Sequence, residues 1–304
     1  MRVIKVFYRL LCRTAALAMI ALLLFSGYVL WSNHRVYSDA KDVYDEILQI
    51  KPEEGEDCIP DFAYLKSINP DICAWITLTG TNIDYPIVRG ESNLSYIDRD
   101  VYGEFSLAGS IFLDTRNNAD FQDSYSLVYG HHMSNHLMFS DLDLYLEKEF
   151  FETNRSATLI TETDIREMTV LAVLEIPDSS QEIFDPTMWG KDLTELALYI
   201  QEHALYIWDN AMTELLDNPI TTQAIALATC SDRASGYRTV VILTAHREDE
   251  NPDRPGGDTP AVTDNPLESP QTGNTDVLSL LAVLMLSSLI GMITIVCTFK
   301  RKVK

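Results

Sequence analysis

Metal-binding cysteine pairs are missing from this chain. Its five cysteines contain no CxxC and no zinc-ligand spacing, which excludes the common structural zinc modules. Cations are scarce as well: 23 Lys and Arg stand against 45 Asp and Glu, a formal net charge of -22. A nucleic-acid binder needs clustered cations to neutralise phosphates, so that class is excluded. The acidic excess names no partner; it describes a soluble, self-repelling surface. Long apolar runs occur only at the two ends, and 304 residues leave room for one sizeable domain with appendages.

The first run follows Arg2, Lys5, Arg9 and Arg13 and stays uncharged from Thr14 to His34, about the length needed to cross a bilayer. A cleaved signal peptide shares the basic start and apolar centre, but Gly27 to Trp31 lacks a small-x-small ending. A retained anchor is favoured. The second run, Val277 to Phe299, is followed at once by Lys300, Arg301, Lys302 and Lys304. Cations flank both runs on the same side, which positive-inside places in the cytoplasm. The expected organisation is a basic stub and anchor over 1–34, an extracellular domain over 35–248, a linker over 249–276, and a membrane helix with basic tail over 277–304. Five of the twelve prolines fall between Glu248 and Asp276 among Asp, Asn, Gly and Thr, the composition of a disordered linker.

Three cysteines, Cys58, Cys73 and Cys230, fall in the external part. A Cys58–Cys73 disulfide would still leave one thiol over. An unpaired thiol in an oxidising compartment is a liability unless buried or used.

Within the external part, Tyr37, Ala40, Tyr44 and Ile47 recur at helical spacing until Lys51-Pro52 breaks the pattern. A shorter helix over Phe62 to Ile68 ends at Asn69-Pro70. From Cys73 onward come short apolar or alternating runs separated by turn residues, among them 74–78, 83–88, 110–113, 126–129, 157–160, 168–176, 221–228 and 238–243. Many short strands of this kind predict a closed barrel or a sandwich. One helix interrupts them, with a capping-box-like start at Asp192-Leu193-Thr194-Glu195 and a core-facing stripe of Leu193, Leu196, Ile200, Ala204 and Ile207.

Three short stretches carry chemistry. An apolar strand over Ile225 to Thr229 ends at Cys230, before a polar turn; a thiol at a strand end is exposed enough to react. Eight residues on, Arg238 opens a second apolar strand. If the two are antiparallel neighbours, the guanidinium comes close to the thiol, lowers its pKa and can hold an oxyanion. A base must come from elsewhere, and Tyr129-Gly130-His131-His132 again follows an apolar strand. Histidine suits the task because it takes and gives protons near neutrality. Each feature alone has a bland explanation: a buried small hydrophobe for Cys230, a solvated side chain for His131, an edge charge for Arg238. Asp232 fits either a Cys-His-Asp triad or a turn.

Together these stretches resemble the sortases, cysteine transpeptidases of Gram-positive cell surfaces. The resemblance is carried by Ala226-Leu227-Ala228-Thr229-Cys230, close to T-L-x-T-C, by Arg238-Thr239-Val240-Val241 and by Tyr129-Gly130-His131, and it spans roughly Val36 to Arg247. Ala226, where the motif has Thr, is a departure that removes no catalytic group. Asn69-Pro70-Asp71-Ile72 before Trp75-Ile76, Gly80 to Pro86, and Gly109 to Asp114 are similar to class B, and no aromatic lid motif precedes Trp75.

The resemblance implies a mainly β fold: a closed eight-stranded barrel with N-terminal helices and one long inserted helix, flanked here by two membrane helices. It implies Cys230 as nucleophile, His131 as general acid/base and Arg238 as the cation on the oxyanion side, with Thr229 contributing to substrate binding. His132 would be a neighbour, and His34, His136, His203 and His246 spectators. The implied reaction cleaves an LPxTG-like motif between Thr and Gly and joins the acyl group to an amine, either a lipid II-type wall precursor or a pilin lysine, with no metal or organic cofactor. Partners would be surface proteins bearing such a motif, and the enzyme would act at the outer face of the membrane. Ser269-Pro270-Gln271-Thr272-Gly273, an apolar span and a basic end have the layout of a sorting signal. That predicts self-sorting with cleavage between Thr272 and Gly273, about level with a plain second anchor behind a Pro/Thr-rich spacer. A non-catalytic surface or pilus-associated binding protein, or a simple cysteine endopeptidase, would share much of this pattern.

Overall fold

The computed structural model describes residues 2–51, 62–133, 136–230 and 236–246. The second apolar run, the linker with Thr272 and Gly273, and Cys58 and Asp232 lie outside the described residues.

Helix α1 is continuous over Arg2–Leu48. The expected anchor and amphipathic helix are therefore one element, because nothing between Thr14 and Ile47 except Gly27 opposes helix propagation. Among the described residues it is the one helix long and apolar enough to cross a membrane, with a mean hydropathy of 2.0 in its best window. It ends where Pro52 disfavours helical geometry for Lys51. The last turns tighten there, Ile50 N–H donating to Ile47 O and Lys51 N–H to Leu48 O.

The chain divides into two units, one reaching Ser38 and the other beginning at Asp39. In the second unit, Val43, Ile47 and Leu48 of α1 join α2 (Phe62–Ile68) in the hydrophobic core. Eleven strands follow: β1 (Ile72–Leu78), β2 (Asp84–Val88), β3 (Ile111–Leu113), β4 (Tyr125–Tyr129), β5 (His132–Met133), β6 (Leu137–Met138), β7 (Ser156–Thr161), β8 (Ile165–Pro177), β9 (Tyr206–Ile207), β10 (Thr222–Cys230) and β11 (Tyr237–His246). Eight of them run β11-β10-β4-β3-β2-β1-β7-β8, and pairing of β8 with β11 closes the ring. This is the expected eight-stranded barrel; closure leaves those strands no free edge. The pairs β4–β10 and β2–β3 are parallel, the rest antiparallel.

Strands β5 and β6 form a separate hairpin, followed by a 3-10 segment over Ser140–Leu146 and by α3 (Lys148–Thr153). Between β8 and β9 lie α4 (Gln181–Phe184) and α5 (Thr194–His203), and α6 (Asp209–Asp217) follows β9. The expected helix is present as α5 but is shorter than its apolar stripe, ending at His203. Ala204 leaves helical geometry, and Ile207 belongs to β9, opposite Ala172. Pairing with β8 captures this stretch: Leu205 N–H donates to Val173 O and Trp208 N–H to Leu171 O. Asp192 does mark the start of α5, its carboxylate accepting from Thr194 N–H at 2.9 Å and from the Thr194 hydroxyl at 2.6 Å.

Candidate active site

Strands β4 and β10 run parallel, with Ala224 opposite Tyr125 and Ala228 opposite Tyr129. One further bond, Gly130 N–H to Ala228 O at 3.2 Å, extends the ladder past β4, and His131 follows. Strand β11 pairs antiparallel with β10 over nine positions, ending on Cys230 opposite Arg238. Positions 131, 230 and 238 therefore fall at the same end of three adjacent strands. Strand alternation puts positions 228 and 230 on one face of β10, shared with Tyr129 and Arg238.

His131 is half-buried. Its Nε2 lies 2.7 Å from Ile97 O. A carbonyl only accepts, so Nε2 carries the proton and Nδ1 is left as the acceptor. Its backbone is held too, Phe139 N–H donating to His131 O at 3.0 Å. Burial pushes the imidazole pKa below its ordinary value, and the Arg238 charge pushes the same way; the Ile97 bond and Asp98 oppose them. The balance favours the neutral imidazole.

Arg238 is only 2% exposed. Its guanidinium carbon stands 5.7 Å from the centre of the Phe184 ring, within cation–π range. Phe184 is held there by its neighbours. Arg116 donates to Phe184 O at 2.8 Å, grips Asp114 through two bonds of 2.8 Å, and pairs with Asp185 at 3.1 Å. The Tyr125 hydroxyl donates to Ile183 O at 2.7 Å. Helix α4 is in this way pinned against the face of β4 that carries Tyr125 and Tyr129. The Tyr129 phenol, buried near Asp114, has its pKa pushed far up, with Arg116 and Arg238 opposing.

Thr229 does not join this face. It is fully buried and sits opposite Thr239, on the side of β10 turned toward the 3-10 segment, where the Thr239 hydroxyl donates to Asp143. The expected contact with substrate fits this placement badly, since one step along a strand reverses the face. Cys73 is a free, buried thiol that donates to Ile87 O at 3.4 Å. Burial pushes its pKa up to about 12, so it is neither bridged nor nucleophilic. Among the described residues no group of three or more His, Cys, Asp or Glu is placed to hold a metal.

Neither Ile97 nor Phe184 carries a signal in the amino-acid pattern. Ile97 acts through its carbonyl, which has no residue signature, and Phe184 reads as ordinary core.

No family model matches the chain. It is 32% identical over 170 residues to sortase B of Listeria monocytogenes, covering 54% of this chain and 69% of that protein. Among solved structures it is similar to a class B sortase of Streptococcus pyogenes involved in pilus biogenesis, at a TM-score of 0.55 and 35% identity over 61% of this chain and 98% of the other. Sortase B of Clostridium perfringens gives 0.54 and 31% over 60% and 98%. An eight-stranded barrel of this topology with these relatives is that of a cysteine transpeptidase. The chain belongs to the class B sortases.

Proposed function

We propose that Cys230 is the nucleophile of this transpeptidase, His131 its general acid/base and Arg238 the group that stabilises the oxyanion. His131 Nδ1 takes the thiol proton, and the thiolate attacks the threonine carbonyl of a Thr–Gly bond in an LPxTG-like or SPxTG motif. The carbonyl pair moves onto oxygen beside Arg238. Collapse breaks the C–N bond, His131 protonates the departing glycine nitrogen, and a thioester remains on Cys230. An incoming amine attacks that thioester, loses its proton to His131 and expels the thiolate. The acceptor is a lipid II-type wall precursor or a pilin lysine; the pilus role of the Streptococcus pyogenes relative supports the second. The enzyme works outside the cell on surface proteins bearing the motif, held by the 1–34 anchor, with 35–248 as catalytic domain, 249–276 as linker and 277–304 as second membrane segment. Thr272–Gly273 is then a bond of its own substrate class.

The observation that supports this reading most is the pairing of Cys230 with Arg238 beside the strand end that leads to His131. The test uses the full chain in detergent with a quenched SPQTG peptide, in wild-type and Cys230→Ala forms. Cleavage between Thr and Gly by wild type only, faster with added amine, is the expected result. Turnover of LPxTG or NPxTN peptides but not SPQTG would keep the enzyme and leave the tail an anchor. Inertness toward all three, with an unreactive Cys230, would favour a binding protein. A chain released from walls ending at Thr272 would establish self-sorting.

A further inference from the structure

His132, a neighbour of His131 by sequence, and His136, a spectator, both face aspartates of the 3-10 segment. His132 Nε2 lies 3.4 Å from Asp143 Oδ2, and His136 Nδ1 lies 2.5 Å from Asp141 Oδ1. The two carboxylates are in turn fixed to the barrel. Asp141, 2% exposed, accepts from Asn82 N–H at 2.8 Å and from its side chain at 3.2 Å. Asp143 accepts from the Thr239 hydroxyl at 2.5 Å. The hairpin is also registered onto the start of this segment, the Ser140 hydroxyl accepting from Met133 N–H at 2.8 Å and donating to Leu137 O.

Asp143 has a further consequence through covalent adjacency. His132 directly follows His131, and Thr239 directly follows Arg238. Since Thr239 faces the opposite side of β11 from Arg238, the carboxylate works from behind the sheet. We propose that Asp143, holding His132 with one oxygen and Thr239 with the other, is a positioning residue that sets the separation of His131 from Arg238. Apolar packing would hold the two elements together as well; a carboxylate hydrogen-bonded by Thr239 on one oxygen and facing His132 at 3.4 Å with the other ties both to one point. The pair His132–Thr239 links the two strand ends that flank Cys230. This inference rests on the assignment of His131 and Arg238 above, and concerns how they are held.

The test is steady-state cleavage of the motif peptide by the full chain in detergent, with thermal unfolding measured alongside. Thr239→Val cuts the bond to Asp143, and Asp143→Asn keeps an acceptor for Thr239 while removing the charge facing His132. Each should lower kcat by about tenfold to a hundredfold, the cost of a misplaced catalytic group, with KM within about twofold. Thr239→Ser, which keeps the hydroxyl, should return kcat to within about threefold of wild type. Groups acting as one unit are non-additive, so the double variant should lose no more than the worse single one. If Cys230→Ala is dead while Thr239→Val and Asp143→Asn turn over within about twofold of wild type, the clamp is wrong and the catalytic assignment stands. Additive losses, a change in KM alone, or no rescue by Thr239→Ser would equally overturn it. A Cys230→Ala chain that still turns over would sink the assignment itself.

Discussion

Two glycines in the loop between β2 and β3 have the same kind of backbone and different surroundings, and substituting them separates two costs. Gly103 has φ +82 with nothing within 4 Å of an added Cβ. Gly109 has φ +60, and its Cβ would stand 2.7 Å from Ile97 O, 2.8 Å from Tyr96 O and 2.9 Å from His131 Cδ2. Both substitutions incur the left-handed penalty of an L side chain, about 1–2 kcal/mol. Only Gly109→Ala adds overpacking, about 1–3 kcal/mol, because backbone oxygens cannot rotate aside. Gly103→Ala should therefore lose about 1–2 kcal/mol and Gly109→Ala about 2–5 kcal/mol.

The functional difference should be larger than the stability difference. Relieving the contact with Ile97 O means moving that carbonyl by several tenths of an ångström, and it is the group that accepts from His131 Nε2 at 2.7 Å. The added methyl also presses on the imidazole itself. Displacement of a catalytic group by about 1 Å costs about a hundredfold, so Gly109→Ala should lower kcat by one to two orders of magnitude, while Gly103→Ala stays within about twofold. Thermal melts and peptide turnover of the two full-length variants in detergent provide the comparison. Equal melting losses, or a Gly109→Ala enzyme as fast as Gly103→Ala, would refute the argument that this loop sets the histidine.

Three further outcomes are expected. Burial keeps the His131 pKa below its ordinary value, so between that pKa and about 6.5 the unfolded chain binds more protons than the folded one. His131 thus contributes stability that is present above about pH 6.5 and is lost as pH falls through the folded pKa. Melts of wild type and His131→Gln from pH 7.5 to 5 should converge on acidification, and a constant difference would contradict this. Thr229 buries a hydroxyl with no hydrogen-bond partner among the described residues, so Thr229→Val should be neutral or stabilising by about 1 kcal/mol with unchanged turnover; a large loss of turnover would support a substrate role. Cys73, with its pKa pushed up to about 12, should resist iodoacetamide at pH 8 in the native chain and react after denaturation, as peptide mapping can check.

Much of the barrel was legible because its strands alternate and are bounded by turn residues; the run from Ile225 ending at Cys230 and the run opening at Arg238 are antiparallel neighbours, the condition under which the guanidinium was expected near position 230. The end of α5 was not legible. Ala204 and Ile207 continue a helical stripe equally well, and what decides against the helix is pairing with Val173 and Leu171 of a strand about 30 residues earlier in the chain. The face occupied by Thr229 was legible: the period of two in a strand puts it on the opposite side of β10 from position 230. His132 and His136 gave no local signal, since their partners Asp143 and Asp141 acquire meaning only once the 3-10 segment folds under the hairpin.

The placement of the site at a strand end follows from the topology. Strands β4 and β10 are parallel, so both chains leave the sheet at the same end, and β11, antiparallel to β10, enters there. Three chain segments thus meet at one end of the sheet, held there by backbone ladders. What surrounds this point comes from elsewhere: Ile97 from the β2–β3 loop, and Phe184 from the insertion after β8. The ladder fixes the spacing of positions 131, 230 and 238, and on the proposed assignment the insertion, tethered by Arg116 and Tyr125, lies beside them through Phe184. Changes in the ladder should therefore appear mainly in kcat, and changes at Phe184 or its tethers mainly in KM and in the choice of motif.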